Sequence, residues 1–134
     1  MIDYSVFINK LKSDLPVQYK VGFARDLQKI RNGTTKVLNN VFVLPFSENV
    51  KPLDSSGSTN EIIEQQIEIL CLTRDRIRNN GSDLQKMRNA VHSVIVGWTP
   101  AGAIYPAHMV RGSRTAYANG IIAWSDIYQV EVLR

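Results

Sequence analysis

Residues 61–74 read Glu-Ile-Ile-Glu-Gln-Gln-Ile-Glu-Ile-Leu-Cys-Leu-Thr-Arg. Ile63, Ile67, Ile69 and Cys71 fall on one side of an extended chain, and Glu64, Gln66 and Glu68 on the other, which is the period of two that a strand imposes. From Ile69 to Leu72 both sides turn apolar. This pattern predicts a long strand that begins half-exposed and ends in the middle of its sheet. Arg74, Arg76 and Arg78 follow at alternating positions, so an extended backbone would set them on one side.

The neighbouring segments extend this sheet and cover it. Upstream, Asn39-Asn-Val-Phe-Val-Leu-Pro45 predicts a second strand, apolar on both faces from Val41 to Leu44 and ended by Pro45, which cannot donate to a ladder. Residues 46–60, with Asp54-Ser-Ser-Gly-Ser-Thr-Asn60, read as a loop rich in turn formers. Unstructured loops of such length are uncommon in a compact domain, so this one is either filler or an arm that orders against a partner. Downstream, Leu84, Met87, Val91, Val94 and Ile95 trace one stripe of a helix over 83–96, with Lys86, Arg88, Asn89, His92 and Ser93 off it. Ser82 and Gln85 have capping-box spacing at its start, and Gly97 and Pro100 end it.

The last third predicts a β-hairpin. Asn119-Gly120 suits a two-residue turn between strands over 108–118 and 121–133, and Trp124, Asp126 and Tyr128 alternate on one face of the final strand. Gly112 interrupts the first of these strands, which marks a bulge or a close backbone approach. At the N-terminus, Tyr4, Phe7, Ile8 and Leu11 predict a helix over 3–14, capped by Asp3 and stopped before Pro16. A short strand over 17–21 and a helix over about 22–31, with Phe23, Leu27 and Ile30 on one side and Asn32-Gly33 at its end, complete the order. The whole is an α+β chain: a mostly antiparallel or mixed sheet with two to three helices packed on it, in one domain spanning 1–134.

Composition excludes several classes of function. Of 134 residues 44% are hydrophobic and 21% charged, as expected of a globular chain. The formal charge of +4 is mildly basic and falls short of the dense basic stripe of a dedicated DNA binder. No run approaches the ~20 apolar residues of a membrane span, and the N-terminus lacks the basic start and apolar stretch of a signal peptide. A single cysteine, Cys71, sits in an apolar run and reads as a buried small hydrophobe. His92 and His108 do not combine with it into a metal-ligand motif. There is no phosphate loop, dinucleotide fingerprint or nucleophile elbow. Neither a catalytic site nor a cofactor is expected.

One ordered set of residues resembles a known family. A helix carrying Arg88 and Val91, then Gly97-Trp98-Thr99-Pro100-Ala101-Gly102, Pro106, an arginine strand with Arg114, the Gly120 turn and Trp124-Ser125-Asp126-Ile127-Tyr128 is similar to the tail terminator (tail completion) proteins of tailed phages. The similarity covers about 61–134 and continues more loosely upstream. It departs from the family pattern at Gly112-Ser113-Arg114, where a double glycine is expected, and in the longer stretch 46–60.

The resemblance implies a structural virion protein, assembled in the host cytoplasm and placed at the head-proximal end of the tail. It implies a ring of copies, usually six, seated on the last ring of the tail tube, which stops tube growth, offers a surface to a head completion or neck protein and lets DNA pass through its lumen. Such a function needs edges and charged faces. The candidate interface residues are Arg74, Arg76, Arg78, Arg88, Trp98, Arg111, Arg114 and Asp126. The alternatives are a head completion or neck connector protein of the same virion and a small basic nucleic-acid binder.

Overall fold

A computed structural model describes residues 1–31, 39–52, 61–74, 82–115 and 120–133. Along the chain these form α1 (Tyr4–Asp14), β1 (Lys20–Gly22), α2 (Ala24–Arg31), β2 (Asn40–Pro52), β3 (Glu61–Arg74), α3 (Ser82–Ile95), β4 (His108–Thr115) and β5 (Ile121–Leu133). The strands make one mixed sheet in the order β1-β2-β3-β5-β4, in which only β1 and β2 run parallel. The fold is α+β.

The central position of β3 follows from its residues. Ile67, Ile69 and Cys71 join Val41 and Val43 of β2 and Tyr128, Val130 and Val132 of β5 in the main core. Phe7, Ile8 and Leu11 of α1 and Leu84, Met87, Val91 and Ile95 of α3 close that core from above. On the opposite face Leu70, Leu72, Phe42 and Ala123 are covered by Leu27 and Ile30 of α2. The all-apolar run of β3 is therefore the part that has a helix on both sides.

The helix ends are set by local chemistry. The Asp3 side chain accepts from Ser5 N at the start of α1, and Leu15, held extended by the following proline, ends it. Asp26 reaches back to accept from Phe23 N, so α2 begins after Phe23, which is left exposed. After α3 the chain reverses at Gly97, whose φ of 86° is the left-handed conformation that favours glycine.

Three expectations change. Pro45 does not end β2, which continues to Pro52 through a bulge between Pro45 and Ser47. β1 reaches only as far as Phe42, so among the described residues β2 is an edge strand from Val43 onward, where a missing N–H costs no ladder bond. The supposed loop 46–60 is thus strand up to residue 52, and 53–60 lie outside the described residues. The first strand is also later and shorter than its alternation suggests, Lys20–Gly22 rather than 17–21.

Beyond the cover of α2, the second sheet face carries a polar ladder. Ser47 Oγ donates to Gln66 Oε1 and Gln66 Nε2 donates to Gln129 Oε1, each at 2.9 Å. Ser125 Oγ donates to Glu68 Oε2. Gln66 and Glu68 are half-buried members of a network across the strands rather than a freely solvated row.

Candidate functional site

The apolar stripe of α3 faces the sheet and leaves Arg88 at its margin, above β5. Ladder register sets Gly112 of β4 beside Asp126 of β5, with Trp124 two residues away on the same face. Arg88 Nε donates to Asp126 Oδ2 at 3.0 Å and Arg88 Nη2 to Asp126 Oδ1 at 2.9 Å. The guanidinium carbon lies 4.0 Å from the centre of the Trp124 ring. The Asp126 side chain is 3% exposed and that of Arg88 18%. A charge removed this far from water is tolerated because the pairing is bidentate and the ring face adds attraction.

Gly112 makes room for this arrangement. A Cβ there would collide with Asp126 Oδ1 and come within 2.9 Å of Trp124 Nε1 and 3.2 Å of Arg88 Nη2. The close approach expected from the sequence is therefore to a buried ion pair. The bulge in the same strand lies nearby, between Met109 and Arg111. Below the pair, burial pushes the Cys71 thiol up to about 12, with the Asp126 carboxylate adding to the effect. Burial also raises the phenol of Tyr128, again helped by Asp126.

The segment after α3 is a closed strap. Gly97 N donates to Ala107 O at 3.0 Å and Ala107 N to Trp98 O at 2.8 Å. Ile104 N reaches Glu131 O at 2.8 Å, tying the strap to the end of β5. Trp98 packs edge-on against Phe7 with centroids 5.7 Å apart, and Lys10 Nζ lies 5.5 Å from its ring. Trp98 thereby joins α1 to the end of α3.

The candidate residues separate into two groups. Arg88, Asp126 and Trp98 make contacts within the chain. Arg74, at the end of β3, and Arg111 and Arg114, on β4, are exposed, and Arg111 lies 5.2 Å over the ring of Phe46. Arg76 and Arg78 lie outside the described residues.

Sequence reasoning passed over Gln65, which is fully buried on the apolar face of β3. Its Nε2 donates to Ile2 O at 2.8 Å and its Oε1 accepts from Ile2 N at 2.9 Å, a two-bond clamp on the N-terminal segment. The signal was a glutamine at an apolar position of the alternation. Such a residue needs a buried partner, but nothing in the sequence says which.

The chain is similar in fold to a chain of the solved structure entitled "Virion of native gene transfer agent (GTA) particle", with a TM-score of 0.60 and 15% identity over 98% of this chain and 94% of that one. None of the curated proteins matches it. A family model described as phage tail terminator protein matches residues 1–134, including the upstream part where the resemblance is looser. This chain belongs to the phage tail terminator family.

Proposed function

We propose that the protein closes into a ring, of six copies by the family's habit, that caps the tail tube, halts its polymerisation and presents a surface to the head or neck. The observation that carries this reading is the family match along the entire chain. Head-to-tail contacts that close by rotation make a ring, and a ring with unlike faces matches the tube's tip on one side only. The partners are other copies of the chain, the tail tube protein and a head completion or neck protein, with DNA passing through the lumen. The work is done by shape, in one domain at the head-proximal end of the tail, and requires no catalytic group or cofactor.

The test uses purified full-length protein, alone and mixed with tail tubes, imaged by negative stain. Rings bound at one end of the tubes are expected, together with overlong tails when the gene is removed. Solitary monomers that ignore tube tips, with tails of normal length in the deletion, would overturn the reading. Protein found instead on filled heads without tails would favour the neck connector.

A further inference from the structure

Each side of the sheet leaves a strand edge unpaired among the described residues. On one side β4 follows β5 and nothing follows β4. On the other, β1 pairs only with Asn40, Val41 and Phe42, so Val43–Pro52 of β2 has β3 on one flank alone. Natural proteins blunt such edges by covering them, shortening them or placing charge on them. Here β1 covers only the inner part of β2. The open part carries Val50, 46% exposed, and β4 carries Met109 and Val110, 37% and 45% exposed. Exposed apolar residues on both open edges are more than solubility needs.

We propose that copies of this chain join through backbone pairing of the β4 edge of one copy with the open part of the β2 edge of the next. The proposal rests on the ring reading above and names its joint. Strand polarity supports it. β2 and β5 run one way, and β3 and β4 the other. Rotation about an axis along the strands keeps these directions, so β4 of one copy meets β2 of its neighbour antiparallel, the pairing that is slightly more stable per residue. The two edges differ, so the contact is heterologous and can close into a ring.

Geometry also restricts the register. Across the sheet, Gly112 is level with Asp126, Ile69 and Val43, and Thr115 with Ala123, Leu72 and Asn40. In a level docking, the end of β4 at Thr115 would run into β1. A shift toward Pro52 avoids β1 and supplies the stagger that a sheet needs to close on itself. With Val110 opposite Val50, Ser113 faces Ser47 and Arg114 lies diagonal to Glu48. The charges suit this pairing. β4 holds His108, Arg111 and Arg114 and no carboxylate, and Glu48 on the receiving edge is exposed. Lys51 on that edge is already paired with Glu64.

The experiment is copy-to-copy cross-linking of the full chain. Ser113→Cys is combined with Ser47→Cys in one variant and with Asn49→Cys in another, so that a two-residue shift of register is still read. Cys71 is fully buried and stays in place. After mild oxidation, non-reducing gels are expected to show a ladder above dimer from at least one double variant, at least tenfold stronger than from any single variant. Rings in the images without a ladder would overturn the edge joint and leave the ring reading standing. Dimers from Ser113→Cys alone would mean that β4 pairs with itself, and would also overturn it. Absence of rings from the unmodified protein would remove the ring reading and this joint together. If the cysteine variants fail to fold, charge reversal decides. Glu48→Arg and Arg114→Glu should each lower the fraction of protein in rings several-fold, and the double exchange should restore it. No loss in either single variant would overturn the proposal.

Discussion

A methyl group on Gly112 would occupy the space held by Asp126 Oδ1, so Gly112→Ala must displace the ion pair or the backbone of β4. Overpacking of this kind costs about 1–3 kcal/mol, to be read as a lowered urea midpoint with an unchanged slope. The pair itself makes a sharper prediction. Arg88→Ala strands a buried carboxylate and should cost about 3–5 kcal/mol, whereas Arg88→Met combined with Asp126→Leu, which removes both charges, should cost less than that single change. Denaturation of the three proteins in one series checks the order. If the double change costs more than Arg88→Ala, the penalty is packing rather than a stranded charge. At Cys71, burial and the raised thiol pKa predict that a thiol reagent labels the native protein far more slowly than the urea-unfolded chain.

At the scale of elements, the arrangement most open to test is the clamp from Gln65 to Ile2. It links the centre of the sheet to the segment that leads into α1 across 63 positions of sequence. Gln65→Leu keeps the apolar packing but leaves the N–H and C=O of Ile2 without their partner, at a cost of about 1–3 kcal/mol. Hydrogen exchange should then quicken in α1 while amides of β3 and β5 keep their protection. Equal acceleration everywhere would show that the clamp supports the whole fold rather than the docking of one helix. The elements also differ in how plainly they are written in the sequence. β3, α1, α3 and β5 follow from their own periodicity, because each buries a continuous apolar face. β2 does not. Its part beyond Pro45 is exposed and buries no continuous apolar face, so its own residues do not announce a strand, and β3 pairs with it to Pro52.

At the scale of the whole molecule, the buried thiol and phenol make stability depend on alkaline pH. Cys71 is raised from 9.0 to about 12 and Tyr128 is raised also, both chiefly by burial. An acid with a raised pKa holds its proton in the folded state while the unfolded chain has lost it, so unfolding releases protons there and stability falls as pH rises. The fall should begin near pH 9 and continue toward about 12 for Cys71. Cys71→Ala should flatten the part of the slope that lies in this window, with the Tyr128 contribution remaining. Denaturation midpoints measured from pH 7 to 11 provide the check. An identical slope in Cys71→Ala would mean that the thiol is not the group responsible.

Unaided, the sequence determined the layered α+β plan and the central place of β3, because alternation and helical stripes record which faces must leave water. It also carried the ordered Arg88, Gly-Trp-x-Pro and Trp-x-Asp-x-Tyr residues that resemble the terminator family, and it marked Gly112 as a place of a bulge or a close backbone approach. Only the tertiary structure decided what approaches Gly112, that Arg88 and Asp126 hold each other within the chain, that Gln65 grips Ile2, and that β2 runs on past its proline. These outcomes depend on pairings between residues tens of positions apart. Local periodicity reports that a side chain is buried or exposed, but the identity of its partner is set by the register of strands and the placement of helices upon them.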